Sequence, residues 1–144
     1  MNDKLFKRVS FFNVLMNFFN KYCDLAQFAM TTGSLRRPQD YDRIIDALQS
    51  ASRFSKELIG MIPKGESESF KNDMTAFLSL IGRRLDNIAE RHMRLRGKSF
   101  NGEQYSFFED RRYIKTDRAF EKEISRLGVK INQYKSETKQ MLES

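Results

Sequence analysis

Glu109, Asp110, Arg111, Arg112 and Tyr113 stand consecutively in a segment that follows the turn signal Asn101-Gly102. Carboxylates, guanidinium groups and a phenol gathered in an irregular segment could hold an anion or move a proton, since binding residues concentrate in such segments. The same run suits an ion-paired loop that closes one end of a helical protein. A second concentration precedes it. Residues 83–98 carry six Lys or Arg against Asp86 and Glu90. Arginines bind phosphate through paired hydrogen bonds, and Phe100, Tyr105, Phe107 and Phe108 nearby could stack on bases. Cations at the end of a helix also offset its macrodipole with no ligand involved.

Other chemistry is excluded by what is missing. His92 is the one histidine and Cys23 the one cysteine. Two Glu-x-x-His motifs for a di-iron bundle are therefore impossible, a zinc site lacks ligands, and no intramolecular disulfide can form. His92 continues the apolar line of Leu85, Ile88 and Leu95, as a satisfied histidine near a helix end does. The Arg-x4-His pairing of helical ribonucleases fails, because Asn87 lies five residues before His92. Phosphate-binding glycine patterns and a nucleophile elbow are absent. Cys23 falls on an apolar seam and is expected to be a small core residue. No catalytic residue, metal site or cofactor is expected.

The elements that must position these residues are helices. Apolar residues recur at intervals of three and four, and glycine and proline fall in clusters between the periodic stretches. A first helix is expected from Asp3 to Met30. Leu5, Val9, Phe12, Met16, Phe19, Cys23, Ala26 and Met30 form its seam, and Phe11, Leu15, Phe18, Tyr22, Leu25 and Ala29 form a parallel line. A second helix should open at Pro38, with Asp40 and Asp42 in its first turn, and continue to about Ile62. A third should start at the cap Ser67 and end at Gly97. Residues 98–115 are expected to be irregular or a short helix, with 105–114 alternatively an early turn of the last helix, and that fourth helix is placed from about the cap Thr116 to the C-terminus. Short connections make neighbours antiparallel, which predicts an all-α, up-down bundle of about four long helices in one domain, 1–144.

The net charge of +7 and a sequence pI near 9.6 favour acidic partners. No stretch is apolar for long enough to cross a membrane, and the N-terminal stretch lacks the apolar core of a signal peptide, so a cytoplasmic protein is expected. In the up-down arrangement Arg36, Arg37, Arg91, Arg94, Arg96, Lys98, Arg111 and Arg112 collect at one end as a candidate anion or nucleic-acid patch. Phe11, Val14, Phe18 and Leu25 on the broad apolar face of the first helix form a candidate protein interface, for a homodimer or another partner. Membrane-surface docking is disfavoured, because the polar stripe of that helix is rich in asparagine and not in lysine. The expectation is a non-enzymatic interaction protein of the adaptor, assembly-factor, inhibitor or immunity type. Nucleic-acid binding through the basic end is the alternative.

Overall fold

The computed structural model describes residues 2–144. Four long helices follow one another: α1 (Asp3–Thr31), α2 (Pro38–Gly60), α3 (Glu68–Phe100) and α4 (Phe107–Glu143). No strand occurs among the described residues. The chain is an all-α four-helix bundle. No helix is long and apolar enough to cross a membrane.

Local chemistry sets the helix starts. Asn2 caps α1, its side-chain oxygen accepting from the Leu5 amide at 2.7 Å. Pro38 occupies the first turn of α2, where its missing N–H costs nothing. Ser67 caps α3 through the Phe70 amide at 3.1 Å.

Two boundaries depart from expectation. Helix α3 passes through Gly97 and ends at Asn101, whose amide donates to the Gly97 carbonyl at 2.9 Å. The residue that turns the chain is Gly102, at φ 68°, in the left-handed region that glycine tolerates. Gly97 instead makes room for the returning segment, since a Cβ there would collide with the Glu103 carboxylate. Helix α4 starts at Phe107, nine residues before Thr116 is reached. Its cap is Ser106, which accepts from the Glu109 amide at 3.1 Å. Residues 107–115 are thus an ordered part of α4.

A single apolar cluster draws on all four helices and includes Phe12, Leu15, Leu48, Phe70, Phe77, Ile81 and Ile124. Helix α3 is its axis, with α2 and α4 packed most closely along it. Small residues allow the α2–α3 approach. The Ser52 and Ser55 hydroxyls donate to the carbonyls of Gly82 and Leu78, so neither buried hydroxyl is left unpaired. Helix α1 fills the remaining side with aromatic rings. Phe12 meets Phe70 edge-on at 6.1 Å, and Phe19 lies 5.5 Å from Phe77.

The phase of α1 is rotated from the expected seam. Phe11, Leu15, Phe18, Tyr22 and Ala29 are buried, whereas Leu5, Val9, Met16 and Met30 are only half-buried. Cys23 is exposed, which corrects its expected place in the core. The rotation brings Arg8 inward as well. Its guanidinium pairs with the buried Glu66 carboxylate, with Nε donating to Oε1 at 2.9 Å.

Candidate functional site

Charged residues at the end where α3 meets α4 fall into two sets. In the first set, guanidinium groups are held by acids of the same chain. Arg91 donates twice to Asp110, at 2.7 and 3.3 Å. Arg94 donates to Glu109 at 2.6 Å and to the Gln104 carbonyl at 3.0 Å. Arg96 reaches across to Asp42 on α2 at 2.8 Å, and Arg37 closes on Asp40 at 3.0 Å. The pairs from Arg91, Arg94 and Arg96 fasten α3 to α4, to the α3–α4 connection and to α2, whereas Arg37–Asp40 is local to the start of α2. They place Glu109 and Asp110 in a structural role. Tyr105 donates to Asp110 at 2.7 Å, and burial together with that bond raises the phenol's pKa. Burial works against the Asp110 charge, but the bonds from Arg91 and Tyr105 outweigh it and hold its carboxyl below the ordinary range.

Arg36, Lys98, Arg111 and Arg112 make up the second set, because the acids nearest in sequence already have partners. None of these four has an acidic partner among the described residues, and all are exposed. Two of them belong to a longer array. Arg111, Arg112, Lys115, Arg118 and Lys122 recur at helical spacing on the outer side of α4, away from the side that buries Asp117, Ile124, Leu127 and Ile131. Phe107 and Phe108 cap this array, 67% and 78% exposed, the two most exposed large apolar residues among those described. The Arg111 guanidinium lies 5.6 Å from the centre of the Phe107 ring. A shallow cleft of about 770 Å³ runs between Phe107, Phe108, Arg111, Arg112, Lys115 and Arg118. An open, cationic surface with two aromatic rings at one end is a shape for holding a polyanion. Arg118 and Lys122 are not part of the basic end that the sequence suggests. The signal that would have found them was the Ser106-x-x-Glu109 capping pattern, since starting α4 at Ser106 puts all five cations in phase.

The candidate interface on α1 is divided by the fold. Phe11 and Phe18 are 5% and 7% exposed and belong to the core. Val14 is 41% exposed and Leu25 is half-buried. With Phe18, Ala51 and Phe54 they line an apolar groove of about 360 Å³ between α1 and α2, and Lys21 stands at its rim.

His92 is buried, and its Nε2 lies 2.8 Å from the Ala29 carbonyl, one of the last-turn carbonyls of α1 that lack a helical partner. Nε2–H therefore donates, and the ring is a C-terminal cap for α1. Burial lowers the imidazole's pKa despite this bond. Partial desolvation pushes the thiol of the exposed Cys23 up, the reverse of an activated nucleophile. A polar network sits below it. Arg84 on α3 donates to both Asp117 oxygens, at 2.8 and 3.2 Å, and to the Tyr22 hydroxyl at 2.9 Å. Desolvation opposes the Arg84 charge, but these bonds more than restore it and raise its pKa. Among the described residues, no three His, Cys, Asp or Glu side chains converge in the manner of a metal site.

No family model, curated protein or solved structure matches this chain, so its own geometry is what speaks to function.

Proposed function

We propose that this chain is a non-enzymatic, cytoplasmic binding protein that engages nucleic acid through the outer side of α4. One observation carries the proposal: five cations in helical register, Arg111, Arg112, Lys115, Arg118 and Lys122, have no acidic partner among the described residues, although acids are plentiful at the same end. Ion pairs take up Asp40, Asp42, Glu109 and Asp110, and the nearest acids further along α4, Glu121 and Glu123, are paired with Arg84 and Arg126. Such a ladder suits a partner with closely spaced negative charge, as a phosphate backbone has.

A protein partner is the second reading, and the apolar α1–α2 groove with Val14 and Leu25 at its edges supports it. It ranks below because Phe11 and Phe18 are committed to the core. The proposal includes no turnover, because neither His92 nor Cys23 is paired with a group that would activate it.

Fluorescence anisotropy with labelled oligonucleotides across a salt series tests the main proposal. Each phosphate neutralised on a single strand contributes a slope of about −0.7 in log K against log salt. Replacing Arg111 and Lys115 together by alanine is expected to flatten that slope while helicity by circular dichroism stays the same. Salt-independent binding, or none at low salt, sinks the proposal.

A further inference from the structure

We infer that the nucleic acid held by α4 is single-stranded, with bases stacked on Phe107 and Phe108 and phosphates following the cation ladder; this rests on the nucleic-acid reading of the same side of α4. The two rings occupy the first turn of α4 and make no contribution to the core. Their centres are 6.0 Å apart and their planes are at 72°. Rings so nearly perpendicular cannot share one base as a sandwich, so each presents a face or an edge to a different base. Exposed aromatic faces gain from bases that are themselves unstacked, and a duplex hides those faces inside its own stack.

The cations run on from the rings in one direction. At about 1.5 Å of rise per residue, the ladder from Phe107 to Lys122 extends about 22 Å, enough for several nucleotides of an extended strand. Arg111 joins the two functions. Its guanidinium lies against the Phe107 ring and is itself exposed, so it can meet the phosphate of a nucleotide stacked there. An anionic bilayer is the competing polyanion, but a helix lying on a membrane must bury an apolar side. Along the ladder itself, no large exposed apolar residue follows Phe108 before Val129, and the positions between Arg111 and Lys122 on this side carry charges and Ala119.

The chain contains no tryptophan, which provides a direct readout. Phe108→Trp places a lone fluorophore at the stacking position, and its emission is expected to be quenched by oligo-U and oligo-dT. The unmodified full chain is expected to bind these strands about tenfold or more tighter than a duplex of equal length. Phe107→Ala combined with Phe108→Ala should lower single-strand affinity by a similar factor, with the salt slope and the affinity for duplex unchanged. Circular dichroism of that variant checks that the fold survives. Duplex binding that equals single-strand binding and ignores both Phe substitutions overturns the inference and leaves the nucleic-acid reading standing. Failure to bind any oligonucleotide overturns both, whether or not mixed phosphatidylserine–phosphatidylcholine vesicles are bound in their place.

Discussion

Arg91, in the last third of α3, grips Asp110, in the first turn of α4, through two hydrogen bonds of 2.7 and 3.3 Å. The pair is largely shielded from solvent, with side-chain exposures of 11% and 22%. It anchors the start of α4 and, through Tyr105, the connection that precedes it. Its geometry also explains why Arg111 and Arg112 are free, since their neighbouring acids point back toward α3.

Removing one partner should therefore cost more than removing an exposed ion pair. Arg91→Ala leaves Asp110 with the Tyr105 hydroxyl as its remaining side-chain donor, and hydrogen bonds to charged groups each contribute about 1.5–3 kcal/mol. A loss of about 2–3 kcal/mol is expected in urea unfolding, with faster amide exchange at 103–108. Arg91→Lys should recover little, because a lysine cannot reproduce the two-pronged contact. A loss below about 0.5 kcal/mol would assign the pair no structural weight.

The opposite ends of α3 differ in how much the sequence disclosed. Ser67 marks the start, as Pro38 does for α2, because the chemistry of helix starts is local. The end was misplaced because Gly97 and Gly102 both resemble terminators, and only the path of Glu103 over Gly97 separates them. Helix α1 shows the same limit. Its two apolar lines are offset by one residue, about 100° of rotation, and both are rich in Phe and Leu. Tyr22 hydrogen-bonded to Arg84 and Arg8 paired to Glu66 select the inward line, and those partners lie 62 and 58 residues away. The basic end was visible as composition. Which arginines were free was not, because that depends on pairs such as Arg96 with Asp42, 54 residues apart.

The two glycines give opposite expectations. Gly102→Ala forces a left-handed backbone on a residue with a Cβ and should lose about 1 kcal/mol. Gly97→Ala adds helix propensity of up to about 1 kcal/mol, and the obstacle is the mobile end of the exposed Glu103 side chain. Gly97→Ala should therefore be neutral or stabilising in thermal unfolding. A reversed order would return the end of α3 to Gly97.

Arg84 and Asp117 form a buried pair joining α3 to α4, with side-chain exposures of 10% and 5%. Breaking such a pair from one side leaves an uncompensated charge in a poorly solvated place, at a cost of about 3–5 kcal/mol. Asp117→Ala leaves Arg84 only the exposed Glu121 carboxylate at 3.5 Å and the Tyr22 hydroxyl, so the loss should reach the lower part of that range. Arg84→Met combined with Asp117→Leu removes both charges at similar volume and should recover most of it. The Tyr22 hydroxyl then loses its donor, so full recovery is not expected. Additive losses in the double variant would show that the pair contributes packing and not charge compensation.

His92 makes stability depend on pH through its tautomer. The ring donates from Nε2 to Ala29, while Nδ1 is buried and has no hydrogen-bond partner. A second proton would have to enter at Nδ1, which is why burial holds the folded pKa below the ordinary 6.5. The unfolded chain takes up that proton first as pH falls, so it binds more protons than the folded chain between the two pKa values. Stability must then decrease on acidification, beginning near the unfolded value of about 6.5 and continuing down to the lowered folded one. Urea midpoints measured from about pH 7.5 to about pH 5 should fall in the lower half of that range, above the range where most carboxylates titrate. His92→Gln keeps an amide donor toward Ala29 and removes the titration. Its midpoint should be flatter over the same interval, at some fixed cost in packing. An unchanged pH profile in that variant would trace the loss to other groups and remove His92 as its source.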